Sequence, residues 1–138
     1  MNILLIEDDE VDIMNVQRAF KKGNINNSLY IANNGIEALS LLRGDNGNKG
    51  ILPNDHRLIL LDLNMPQMNG IEFLEVLRND PLLKRTPVVV LTTSNADRDQ
   101  IDAYNYNVAG YLIKPFSFMA FVEMMVLLNK YWSSCEML

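Results

Sequence analysis

A single cysteine among 138 residues leaves the chain unable to close an internal disulfide, which fits a reducing cytoplasm. Cys135 reads as a free thiol near the chain end. Long hydrophobic runs are missing too: none approaches the ~18 uninterrupted apolar residues of a membrane span. The N-terminus opens on the strand-like Asn2-Ile3 and lacks the basic start of a signal peptide. Basic charge is scarce. Lys and Arg total 12 against 17 Asp and Glu, a net charge of −5 with no Lys/Arg cluster, so a nucleic-acid-binding surface is disfavoured. What is present is an ordinary globular composition, 49% hydrophobic and 21% charged. A chain of 138 residues suits one domain, spanning 1–138, with one sizeable core, and the cytoplasm is its expected location.

Short β-type runs alternate with longer helical patterns. Residues 3–6 form a continuous apolar strand, as expected where both faces are covered. From about Asp9 to Lys22, Ile13, Val16, Ala19 and Phe20 recur at helical spacing, and Gly23 is a stop signal. Residues 28–32 read as a second strand, and Asn34-Gly35 turns into a helix carrying Ile36, Ala38, Leu39, Leu41 and Leu42. A third strand at 57–61 leads to a helix at 71–78 with Phe73, Leu74 and Leu77 on one side. Pro87 introduces a β-branched fourth strand at 88–91. A polar helix at 97–105 has few anchors (Ile101, Ala103, Tyr104), and a fifth strand at 110–113 precedes a last helix at 118–132. Five β-α repeats imply an α/β fold, a parallel sheet with helices on both faces and right-handed crossovers. The polar stretch 44–56 interrupts this pattern as an enlarged loop; its glycines fit neither phosphate-binding glycine motif, and no helix follows.

Ligands of such sheets bind beyond the carboxyl ends of the strands. Four of the five predicted strand ends carry chemistry: Glu7-Asp8, Asp62, Thr92-Thr93 and Lys114. Asp62 follows Leu58-Ile59-Leu60-Leu61, and a carboxylate beside so much hydrocarbon is costly unless paired. Carboxylates gathered at strand ends repel one another unless a cation sits among them, which points to a metal-dependent pocket. Glu7 and Asp8 can hold Mg²⁺, a hard ion that prefers oxygen, and the backbone carbonyl of Asn64 can add a ligand. Asp62 can act as a nucleophile and form an acyl phosphate. Lys114 can neutralise, and the Thr92 hydroxyl can bond, a transferred phosphoryl group; such transfer needs mainly positioning and electrostatic stabilisation.

With I-E-D-D at 6–9, L-L-D-L-N-M-P-x-M-N-G at 60–70, V-V-L-T-T-S at 89–94 and G-Y-L-I-K-P at 110–115, the chain resembles the response-regulator receiver domains of two-component signalling. The resemblance covers essentially the whole chain and implies a flavodoxin-like (βα)5 sandwich with sheet order 2-1-3-4-5. It implies Asp62 as phosphoacceptor and Asp8 as direct magnesium ligand, with Glu7 acting through water. The Asn64 carbonyl would be a further ligand, Thr92 and Lys114 would contact the phosphoryl oxygens, and Tyr111 would be an aromatic switch that follows Thr92. Similar domains have a cis peptide at the position of Lys114-Pro115. Glu7 replaces the aspartate common at its place, and Asp9 is better read as a helix N-cap. The enlarged loop and Tyr131-Trp132 look most like the small stand-alone regulators of bacterial phytochrome-type histidine kinases. A histidine kinase or phosphotransfer protein would then be the phosphoryl donor. His56, the only histidine, lies in the polar loop and is a poor phosphoryl carrier.

No output domain is expected after the fifth helix, so the signal would leave by protein contact, phosphate relay or dimer formation. The last helix carries more large apolar residues than one face needs: Phe118, Met119, Phe121, Val122, Met124, Met125, Val126, Leu127 and Leu128. The surplus, with Tyr131 and Trp132, predicts a homodimer face beside the fifth strand. Against the dimer face stands a broad core stripe with methionine filling; against the switch and ligand roles stand a plain core or surface place for Tyr111 and a simple turn at Lys114-Pro115. A magnesium-dependent phosphatase would need a second acid two residues after Asp62, where Asn64 stands. A pseudo-receiver would usually lack the acidic pair, acceptor or lysine. A flavodoxin would need a hydroxyl- and glycine-rich loop after the first strand.

Overall fold

The computed structural model of the chain describes residues 1–44 and 56–136. Apart from Gly44 and His56, the loop predicted over 44–56 lies outside the described residues. Strands β1 (Asn2–Ile6), β2 (Ser28–Ala32), β3 (Arg57–Leu61), β4 (Val88–Thr92) and β5 (Gly110–Ile113) pair in parallel, in the order β2-β1-β3-β4-β5. Helices α1 (Glu10–Lys22), α2 (Gly35–Arg43), α3 (Gly70–Asn79), α4 (Asp97–Asn105) and α5 (Phe118–Ser134) connect or follow them. This is the flavodoxin-like sandwich and strand order expected.

Strand alternation divides the core between the two faces of the sheet. Ile3, Leu5, Leu58, Leu60, Val89 and Leu91 pack with Val16, Ala19 and Phe20 of α1 and Phe121, Val122 and Met125 of α5. Leu4, Ile6, Ile59, Leu61, Val88 and Val90 pack with Ala38, Leu39 and Leu42 of α2 and Phe73, Leu74 and Leu77 of α3. The three central strands are covered on both sides, hence their unbroken apolar sequences.

Helix starts are set locally. Asp9 caps α1, its carboxylate accepting from the N–H groups of Val11 (2.8 Å) and Asp12 (3.1 Å), and such a cap contributes about 1 kcal/mol. Asn69 and Glu72 form a capping box at α3. Gly70 then lets α3 lie on the acceptor loop: a Cβ there would stand 2.7 Å from Leu63 Cα and 2.8 Å from the Asp62 carbonyl oxygen. In contrast α4 starts at Ala96 with no side-chain cap. Of its three expected anchors only Ala103 is buried; Ile101 and Tyr104 are exposed, because they sit three residues apart on the face turned from the sheet. A second correction concerns Lys114-Pro115: the described residues contain no cis peptide bond, so this one is trans. The isomers of an X–Pro bond differ by only about 0.5–1 kcal/mol, and local packing selects between them.

Candidate functional site

The parallel ladders run one residue past the strands and carry the functional groups with them. The N–H of Glu7 donates to the Ala32 carbonyl (3.0 Å), that of Asp62 to Ile6 (3.1 Å) and that of Lys114 to Thr92 (2.8 Å). Because Ile6 pairs with Leu61, Glu7 and Asp62 emerge side by side. Alternation puts Glu7, Asp62 and Lys114 in the parity of Leu5, Leu60 and Leu112, the α1/α5 face. Thr92 and Tyr111 take the opposite parity. The edge of the sheet thus separates the acidic groups and the lysine from the threonine–tyrosine pair.

Ligand oxygens of Glu7, Asp8 and Asp62 lie within 4.8 Å of one another. Glu7 is 2% exposed and Asp62 6%, whereas Asp8 is open to solvent. Both Glu7 carboxylate oxygens are buried with no hydrogen-bond donor among the described residues; the nearest cation is the Lys114 ammonium at 3.6 Å. Burial and the neighbouring Asp62 carboxylate push the Glu7 carboxyl up to about 9, against the pull of Lys114. The pocket therefore needs a proton or a cation to be neutral. An all-oxygen set with one solvent-facing member suits a divalent hard cation.

Lys114 is held between Glu7 and Asp12, its ammonium 3.2 Å from the Asp12 carboxylate. Burial alone would depress its pKa, but the charges of Asp62, Glu7 and Asp12 outweigh burial and raise it. It makes no ion pair within 4.0 Å with Asp62. Thr92 is fully buried, and its hydroxyl accepts from the Ser94 N–H at 3.3 Å. Tyr111 packs partly against the α2/α3 core, and its hydroxyl donates to the Ser94 carbonyl at 2.9 Å. Its phenol is shifted upward, by burial first and also by the charges of Asp99 and Asp62, with the Ser94 side chain opposing. Asn64 is exposed in the loop after Asp62 and lines a small cleft with Leu63, Asn69 and Asp99. His56 is exposed, away from these groups in the ladder, where its carbonyl accepts from Asn2 at the opposite strand ends.

Every residue expected at the site is therefore at the same sheet edge. Two partners escaped sequence reading. Asp12 was one more acid in an acidic first turn; its only signal was its place in the turn that follows the β1 strand end. Asp99 binds the Ser94 hydroxyl at 2.5 Å across a loop, and nothing in the sequence singled it out.

A doubly wound sandwich with an aspartate, an acidic pair, a threonine and a lysine at one strand edge defines the receiver class of signalling domains. Residues 3–126 match the response regulator receiver domain, and the chain belongs to that family, as a close relative of phytochrome-associated response regulators. It is 38% identical to response regulator Rcp1 of Synechocystis sp. over 132 residues, 94% of this chain and 87% of that protein. The crystal structure of the phosphorylated cyanobacterial phytochrome response regulator RcpA superposes with a TM-score of 0.82 at 33% identity, covering 99% of this chain and 96% of that one. The Mn²⁺-bound form of response regulator Rcp1 gives 0.81 at 36% identity, with the same coverage. The chain is a response regulator of a two-component phosphorelay, and receiver domains act on their own phosphoaspartate rather than on external substrates. Among the described residues no helix is long and apolar enough to cross a membrane.

Proposed function

We propose that Asp62 accepts the phosphoryl group and that Glu7, Asp8, Asp62 and the Asn64 carbonyl hold Mg²⁺. The observation that carries this reading is the triad of carboxylates within 4.8 Å, with Glu7 buried and lacking a donor. Relatives crystallised in phosphorylated and in Mn²⁺-bound forms support it. Bound there, the cation supplies neutralisation of charge on the phosphoryl oxygens. An Asp62 carboxylate oxygen attacks phosphorus; the new O–P bond forms as the P–N bond of a phosphohistidine breaks, and the imidazole nitrogen keeps the electron pair. Lys114 closes on a phosphoryl oxygen, and the Thr92 hydroxyl donates to another. Tyr111, tied to the Ser94 carbonyl, fixes the loop ahead of α4 in the signalling arrangement. With one buried anchor and no side-chain cap, α4 is the element whose population shifts.

The donor is a histidine kinase or phosphotransfer protein in the cytoplasm. Exposed Ile113, Phe116 and Phe118 line a cavity of about 530 Å³ together with Asp12, Asn15, Thr93 and Lys114, an apolar mouth for a histidine-bearing helix. A second copy of the chain is the proposed partner of the β5/α5 side. There the edge strand offers Leu112 and Ile113, and α5 offers Met124, Leu127, Leu128 and Tyr131, with Glu123 the acid among them.

Intact-mass analysis after incubation with acetyl phosphate and Mg²⁺ tests the acceptor. One added phosphoryl group, absent from Asp62→Asn and from a chelated sample, is expected. An adduct that survives in folded Asp62→Asn would overturn the assignment.

A further inference from the structure

Lys114 is the group that must meet the phosphoryl oxygens, yet its ammonium is engaged elsewhere. It lies 3.2 Å from Asp12 and 3.6 Å from Glu7, with no ion pair to Asp62 within 4.0 Å. The two anchors differ. Glu7 is nearly inaccessible, whereas Asp12 is about one-third exposed at the cavity mouth. Asp12 sits in the first turn of α1, three residues after the capping Asp9, so the capped helix end sets the position of its backbone.

We propose that Asp12 is a tether that restrains phosphoryl capture: it holds Lys114 on the α1 side of the pocket and gives it up when a phosphoryl group arrives on Asp62. This rests on the reading of Asp62 as acceptor. Release leaves Asp12 facing water, where a carboxylate is readily solvated, while the buried Glu7 keeps the lysine within reach. A partly exposed ion pair is a weak tether, which suits a contact that must exchange. The sequence separation of 102 between Asp12 and Lys114 makes the exchange a link between α1 and the segment joining β5 to α5. Loss of the tether frees Lys114 for the phosphoryl oxygens, so Asp12 opposes capture in proportion to its hold on the lysine.

The test is a double-mutant cycle on the affinity of the full chain for beryllofluoride with Mg²⁺, with thermal midpoints measured in its absence. Asp12→Asn is expected to tighten binding two- to fivefold in the native background, on the order of an exposed ion pair, and to have no effect in Lys114→Met. An equal effect in both backgrounds would mean simple charge repulsion and would overturn the inference. So would unchanged binding alongside a lowered midpoint, the mark of a purely structural acid at the helix start. Native protein that binds no beryllofluoride, or Asp62→Asn that still binds it, would instead remove the reading of Asp62, and this inference with it.

Discussion

At the scale of single residues the chemistry turns on Glu7, a carboxylate kept dry beside a second one. Its carboxyl is pushed from the ordinary 4.5 to about 9, burial being the main cause. A raised carboxyl binds its proton in the folded state after the unfolded chain has released it. The resulting stability is complete below about 4.5 and is lost as pH rises toward 9. Without divalent cation, the thermal midpoint should therefore fall with rising pH across that window, and Glu7→Gln should flatten the slope. Mg²⁺ should flatten it too, since the cation replaces the proton, and its affinity should rise with pH. Thermal melts in chelator and in Mg²⁺ check both; a midpoint in chelator that climbs with pH would refute the assignment of Glu7.

At the scale of elements, the far end of the sheet from the site is fastened by one side chain. Arg78, near the end of α3, donates to the carbonyls of Lys84, Thr86, Tyr106 and Asn107 at 2.7–3.2 Å. Those carbonyls belong to the segments just before β4 and just after α4. The C-terminal end of α4 is thus clamped while its start has no side-chain cap, so the proposed displacement is expected at the end nearest Thr92. Arg78→Ala strands these acceptors and should cost about 2–4 kcal/mol in urea unfolding. Arg78→Lys should recover little of it, since an ammonium cannot span the fork. Hydrogen exchange at 104–109 should accelerate in both; protection equal to the native chain would show that the clamp is not what holds this end.

At the scale of the whole molecule, the proposed pairing of two copies rests on α5. Its predicted surplus of apolar residues resolves into separate faces: Phe121, Val122 and Met125 are buried, while Phe118, Met119, Leu127 and Tyr131 are exposed. Trp132, expected on the free face, instead packs partly against the core shared by α1 and α5. An exposed apolar helix beside an edge strand is an unpartnered surface. Sedimentation at tens of micromolar with beryllofluoride should give a dimer for the native chain and a monomer for Leu127→Glu. The midpoint of that variant should barely move, because Leu127 is 66% exposed. A native chain that sediments as monomer with and without beryllofluoride would discard this face.

The five β-α units and the strand-end groups were legible in the sequence because they depend on local pattern. Short apolar runs such as Leu58–Leu61, alternating with longer helical patterns, read as covered strands, and a parallel sheet sends the residues after them to one edge. Asp9 as a cap was legible for the same reason, since a cap bonds its own first turn. Only the tertiary structure decided which partner each group meets. Strand parity and the position of α1 bring Asp12 to Lys114 across 102 residues, bury Glu7 without a donor, and set Arg78 over two loops. Burial also decided which of the α5 apolar residues serve the core and which face solvent. Those outcomes depend on contacts between distant segments, which composition and periodicity do not encode.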